Sequence, residues 1–165
     1  MDADSGSPTP RDGAPAPVPA WTLHCDGSAQ PNPGRMGLGA VMAAPDGVRH
    51  TLSVATQCVG CNNEAELRAF VLALESLRAR GAAAVEAYSD NSILVELLSR
   101  PGAPPPARLA ELVGRARALW AGFADARLRW IPRHRNGEAD ALARAALGMP
   151  PKPAAPPSPR RKRRR

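Results

Sequence analysis

Apolar positions in the first third of the chain fall in short runs: Trp21-Thr22-Leu23-His24-Cys25, then Gly37-Leu38-Gly39-Ala40-Val41-Met42-Ala43-Ala44, then an alternating stretch from Arg49 to Gln57. Runs of this length bounded by turn-forming residues predict strands, and Pro45-Asp46-Gly47 is turn chemistry suited to a hairpin between the second and third. Three strands joined by short loops make an antiparallel meander. The period then changes. From Asn63 to Arg80, Leu67, Phe70, Val71, Leu74 and Leu77 recur at three and four, which predicts a helix packed along one face with Gly81 placed to stop it. Val85 to Tyr88 reads as a short strand, Ile93 to Leu98 as a helix ended by Arg100-Pro101-Gly102, and Ala107 to Phe123 as a further helix. A strand from Ala126 to Ile131 and a helix from Gly137 to Leu147 complete the order β-β-β-α-β-α-α-β-α. That order predicts an α/β domain with a mixed sheet of about five strands flanked by helices.

Composition sharpens the boundaries. The two ends, residues 1–20 and 150–165, hold 11 of the 19 prolines and show no apolar periodicity, so they read as disordered segments around a folded domain at 21–149. The formal charge is +7, but residues 150–165 carry 7 of the 22 Lys and Arg and no acid, leaving 15 basic residues against 15 acidic ones elsewhere. The excess positive charge is therefore a property of the tail. Its Arg160 to Arg165 run is a natural partner for nucleic-acid phosphates, with simple solubility as the alternative. No run of about 18 apolar residues occurs and the N-terminus lacks basic and apolar signal regions, so the expectation is a soluble, cytoplasmic protein without membrane contact.

Acidic residues recur where predicted elements end: Asp26 after the first strand, Glu64 and Glu66 in the first turn of the long helix, Asp90 after the fourth strand and Asp140 early in the last helix. Ligands of open α/β sheets gather beyond the strand ends, so these positions can converge on one cleft. A cluster of carboxylates without Cys or His suits Mg2+ or Mn2+ rather than Zn2+. Each acid also has a local explanation. Asn63-Glu64-Ala65-Glu66 has the spacing of a capping box, Asp90 can cap the helix that follows, and Asp26 before Gly27 can be a turn residue. Asp140, at an interior helical position, is hardest to explain locally.

Four ordered motifs decide between these readings. Asp26-Gly27-Ser28 with Asn32-Pro33-Gly34, Gly37 and Gly39, then Asn62-Asn63-x-Ala65-Glu66-Leu67, then Tyr88-Ser89-Asp90-Asn91-Ser92, then Asn136-x-Glu138-Ala139-Asp140-Ala141-Leu142-Ala143 closely resemble the motifs of type I ribonuclease H. The resemblance spans roughly residues 21–149 and implies a ribonuclease H-like fold, its five-stranded mixed sheet built of three antiparallel strands and then two parallel ones. It implies an endoribonuclease that hydrolyses the RNA strand of RNA-DNA hybrids with two Mg2+ ions, Mn2+ being a possible substitute, and leaves 5′-phosphate and 3′-hydroxyl ends. By the same resemblance Asp26 bridges both ions, Asp140 helps hold the ion that activates water, and Glu66 and Asp90 hold the other. Gly27, Ser28, Asn32, Asn62, Asn63, Ser92, Arg133 and His134 are then the expected substrate contacts, and the enzyme is expected to act as a monomer. Glu64, two residues from Glu66, is expected to be a helix-dipole or surface residue.

Two departures from the family pattern stand out. The loop Trp130-Ile131-Pro132-Arg133-His134-Arg135-Asn136 before Asp140 is short, as in one branch of the family, so His134 faces either phosphate or solvent. The basic protrusion of the best-studied bacterial members is missing from Ser99 to Pro106, which makes the Arg160 to Arg165 tail a candidate for the electrostatic grip. Cys58-x-x-Cys61 has neither a second pair nor a nearby His and reads as ordinary strand and loop positions, while Cys25, beside Asp26, should point away from the metals if the strand alternates. Two competing readings are a hybrid- or RNA-binding module that lost activity, against which the full set of acids counts, and another nuclease of the same fold.

Overall fold

The structure, a computed structural model, describes residues 16–153; most of the Pro/Ala-rich N-terminal segment and the Arg160 to Arg165 run lie outside the described residues. The chain folds in the order β1 (Ala20–Gln30), β2 (Gly34–Ala43), β3 (Arg49–Gly60), α1 (Asn62–Ala79), β4 (Ala84–Ser89), α2 (Ser92–Ser99), α3 (Ala110–Ala121), β5 (Asp125–Trp130) and α4 (Gly137–Ala146). Short 3-10 turns precede α3 and α4, at Ala107–Leu109 and Arg133–Arg135. One sheet in the order β3-β2-β1-β4-β5 holds all five strands, antiparallel across β1, β2 and β3 and parallel across β1, β4 and β5. This is the mixed sheet that the periodicity predicts.

Local chemistry accounts for the turns. In the β2–β3 hairpin Asp46 Oδ1 accepts the Val48 amide at 3.0 Å and Gly47 takes a φ of +90°. Gly81 ends α1 at φ +78°, with the Ala82 amide returning to the Leu77 carbonyl at 3.0 Å. The region Ser99 to Pro106, short of a protrusion, is stapled by Arg117 of α3, whose guanidinium donates to the carbonyls of Leu97, Arg100 and Ala103. One of the few arginines of that helix is thus committed to holding the loop.

Strand alternation assigns the two faces of the sheet. Leu23 and Cys25 of β1 and Met36, Leu38, Ala40 and Met42 of β2 belong to the main core, together with Ala65, Phe70, Leu74 and Leu77 of α1 and Val113 and Ala116 of α3. Cys25 is buried in that core. The other face of β2 carries Gly37 and Gly39, and α4 lies on it: a Cβ on Gly39 would overlap the Ala139 carbonyl oxygen, and one on Gly37 the Ala143 carbonyl oxygen. These glycines seat a helix backbone directly on a strand.

The first strand differs from expectation. It does not end at Cys25 but continues to Gln30, with Gly27 paired to Leu38 and Ser28 to Gly37, and the turn falls at residues 31–33. Asp26 is therefore a mid-strand residue rather than a turn residue. The ladder of β2 supplies the reason, since its amides and carbonyls extend far enough to keep Gly27 to Gln30 paired.

Candidate active site

The pairing of β1 with its parallel neighbour β4 runs only as far as His24 and Tyr88, while β1 stays paired to β2 on its other side. The sheet opens beyond that point at the C-terminal ends of β1 and β4, where its direction also changes from antiparallel to parallel. Such a switch point is where open α/β sheets leave a crevice. A cleft of about 420 Å³ occupies it, lined among others by Asp26, Glu66, Asp90 and Asp140. Glu66 and Asp90 reach the cleft because other residues take the local roles open to them. The N-cap of α1 is Cys61, without a side-chain capping bond, so Asn63 and Glu66 form no capping box. The N-cap of α2 is Asn91, whose Oδ1 accepts the amides of Ile93 at 2.9 Å and Leu94 at 3.2 Å, so Asp90 is not the cap. Glu64 instead pairs with Arg68 at 2.9 Å along the surface of α1.

Asp26, Glu66 and Asp90 offer carboxylate oxygens that all lie within 4.8 Å of one another. Asp140 lines the same cleft from α4 and is paired with Lys152 Nζ at 2.8 Å. Glu66 Oε2 is buried with no hydrogen-bond partner, and Asp26 Oδ1 accepts the Gly27 amide at 2.9 Å. Burial, and then the charges of Glu66, Asp90 and Asp140, push the Asp26 carboxyl up to about 8; burial, and then Asp90, push Glu66 up to about 8. Crowded acidic oxygens, one of them unpartnered, fit a hard divalent cation.

This crowding has a measurable consequence for the cation-free protein. Both groups titrate near 4 in an unfolded chain, so between about pH 4 and pH 8 the folded state binds more protons than the unfolded one. The stability they contribute is complete below about pH 4 and is lost as pH rises through 8. In the presence of a chelator, the Tm is expected to fall between pH 5 and pH 8.5, and a divalent cation added at the higher pH should restore it. A cation-free Tm that rises over this window would contradict the crowding.

Amide side chains line the rest of the cleft and tie its walls together. Asn62 Oδ1 accepts the Ala29 amide at 2.8 Å, Asn32 Oδ1 accepts the Asn62 amide at 3.2 Å, and Asn91 Nδ2 donates to Asn63 Oδ1 at 3.0 Å. Gly27, Ser28, Ser92 and Arg133 also line it; His134 is exposed and stands outside the lining. Gly27 has a further duty, because a Cβ there would overlap the backbone of Ala65 and Glu66 in α1. The Cys pair takes no part in the acid cluster: Cys58 is exposed on β3, and Cys61 is the α1 cap at the cleft edge.

Several residues of the site escape a reading of the sequence alone. Asn136, fully buried, donates from Nδ2 to the Cys25 carbonyl at 2.9 Å and so ties the start of α4 to β1 beside Asp26. Trp130 Nε1 donates to the Asp90 carbonyl at 3.2 Å. Arg108 and Lys152 enter the lining from segments with no motif of their own. Asn136 and Asn91 stood inside the motifs; for the other three, no sequence signal marks a partner that is remote along the chain.

Comparison with known proteins agrees with this geometry. Residues 24–146 match a family described as Reverse transcriptase-like. The chain is 32% identical over 144 residues to Ribonuclease HI of Halobacterium salinarum, covering 86% of this chain and 72% of that one. It is 33% identical over 129 residues to the bifunctional protein Rv2228c of Mycobacterium tuberculosis, spanning 35% of that longer protein. Among solved structures, the RNase H1 of Halobacterium salinarum superposes with a TM-score of 0.73 at 30% identity, over 78% of this chain and 98% of the other. The N-terminal RNase H domain of Rv2228c gives 0.72 at 30% identity, over 78% and 94%, and LC11-RNase H1 in complex with RNA/DNA hybrid gives 0.70 at 26%, over 78% and 96%.

Proposed function

The chain belongs to the type I ribonuclease H family, and from that membership we propose that it is an endoribonuclease cleaving the RNA strand of RNA-DNA hybrids, leaving 5′-phosphate and 3′-hydroxyl ends. The observation that carries the proposal is the convergence of Asp26 of β1, Glu66 of α1, Asp90 just after β4 and Asp140 of α4 on one cleft at the open end of the sheet. Asp26, Glu66 and Asp90 would hold one divalent cation, and Asp26 with Asp140 a second, with Mg2+ the expected ion and Mn2+ able to replace it. Bound there, the pair supplies Lewis-acid charge for water attack on phosphorus and for the departing 3′ oxygen.

The protein's own contribution is placement. The chain of bonds from Ala29 through Asn62 to Asn32, and from Asn63 to Asn91, fixes amide groups along one wall, where amide and hydroxyl side chains suit the 2′-hydroxyls of an RNA strand. Ser28 and Ser92 add hydroxyls to the same lining, and the positive charge of Arg133, which only slightly offsets the upward push of burial and Asp90 on the Glu66 carboxyl, suits a backbone phosphate. His134, exposed beyond the lining, is assigned to phosphate contact outside the cleft rather than to chemistry within it. A labelled hybrid should be cut in Mg2+ while duplex DNA of the same sequence is left intact; equal cutting of both would point to another nuclease of this fold, and no cutting of either to a binding module.

We assign the grip on the flanking hybrid to the Arg160 to Arg165 run, on the strength of its charge and the short Ser99 to Pro106 region. Removing those six residues should raise KM and reduce the slope of log KM against log salt, with kcat changing less than about twofold. A truncated chain with the native salt dependence would take the tail out of substrate binding.

A further inference from the structure

The segment after α4 returns to the cleft by an ordered route. Gly148 adopts a φ of +70°, its amide reaching the Ala145 carbonyl at 3.0 Å, and the Met149 amide returns to the Arg144 carbonyl at 3.0 Å. This αL turn ends the helix and reverses the chain. Arg144 Nε then donates to the Pro150 carbonyl at 3.0 Å, which fixes the returning segment against the helix it has just left. Two residues on, Lys152 places Nζ 2.8 Å from Asp140 Oδ1, and both side chains line the cleft. The Asp140 side chain is 18% exposed and that of Lys152 57%, so the pair sits at the mouth with its acidic end inward.

We infer that Lys152 is a tethered counter-ion of Asp140, occupying the cation-facing side of that carboxylate and competing with the divalent cation for it. The inference rests on the reading of the four acids as cation ligands. A carboxylate oxygen that accepts an ammonium at 2.8 Å has that lone-pair direction filled, and a cation approaching along it competes with the lysine for the same charge. Displacement is sterically open, since the lysine side chain is more than half exposed and its ammonium is carried on a flexible four-carbon stem. Lys152 itself lines the cleft, so a released ammonium would remain tethered near it. Cation loading and the position of the C-terminal segment are thereby coupled.

The test is Mn2+ binding to the full chain by titration calorimetry at low salt, without nucleic acid, for the native protein and for Lys152→Gln and Lys152→Arg. The inference expects Lys152→Gln to bind Mn2+ about fivefold more tightly, the scale of one partly exposed ion pair, with the difference shrinking as salt is added. Lys152→Arg should keep the native affinity. The Mn2+-induced rise in Tm should grow in parallel in the Gln variant. Equal or weaker binding by Lys152→Gln, with the native chain binding normally, overturns the inference alone. A native chain that binds no Mn2+ overturns the reading of the acids as well.

Discussion

Asp26→Asn is expected to lower the rate of hybrid cleavage by at least about 10³-fold and, in the same protein, to raise the Tm measured without divalent cations at pH 8. The two effects have one cause. Asp26 lies mid-strand between Glu66, Asp90 and Asp140, and burial together with their charges lifts its carboxyl to about 8. A neutral amide of the same shape can still accept the Gly27 amide, which Asp26 Oδ1 now does at 2.9 Å, and it removes the charge that the neighbours repel. The gain should be about 1–3 kcal/mol near neutral pH, well below the full shift because the cluster shares its protons. Adding Mn2+ should then stabilise the native protein more than the variant. Cleavage that survives the substitution, or a Tm that falls, would separate Asp26 from the cluster.

Gly27→Ala is expected to be among the most damaging single-methyl changes in the domain. The added Cβ would overlap the Ala65 carbonyl and the Glu66 nitrogen, which are backbone and cannot rotate away. Helix α1 must lift from β1, at a cost of about 3 kcal/mol or more, and Glu66 moves with it. Thermal unfolding should show the loss, and the folded fraction should cleave hybrid poorly. Gly39→Ala should act the same way on the opposite face, because its Cβ would overlap the Ala139 carbonyl oxygen one residue from Asp140. Gly114→Ala in α3 is the control: nothing lies within 4 Å of its Cβ, so the same methyl should stabilise by about 0.5–1 kcal/mol. Destabilisation at Gly114, or tolerance at Gly27, would contradict the close seating of the helices.

These glycines also show where sequence reading stops. Periodicity finds the elements, because Leu67, Phe70, Leu74 and Leu77 can share a face only on a helix, and all four are in the core. Spacing finds the acids. What neither can supply is the competition for local roles. Asn63-x-x-Glu66 satisfies the capping-box pattern, yet Asn63 is already helical and its side chain is held by Asn91, which leaves Glu66 to face the cleft. Asp90 and Asn91 are both good caps, and the choice of Asn91 shows only in its bonds to Ile93 and Leu94. Gly27, expected beside the substrate, also has to seat a helix, which no motif announces. The first strand runs past Asp26 because β2 pairs with it, a long-range fact that no local propensity encodes. Asn136 and Lys152 reach the site through contacts 111 and 12 residues apart, which a one-dimensional pattern does not relate.

The central claim is that Asp26, Glu66, Asp90 and Asp140 together hold the catalytic cations. Anomalous diffraction from crystals of the native chain soaked in Mn2+ tests it most directly. Two peaks in the cleft, both touching Asp26, with Glu66 and Asp90 on one and Asp140 on the other, are predicted; a cleft without a peak, or peaks bound only elsewhere on the chain, would contradict it.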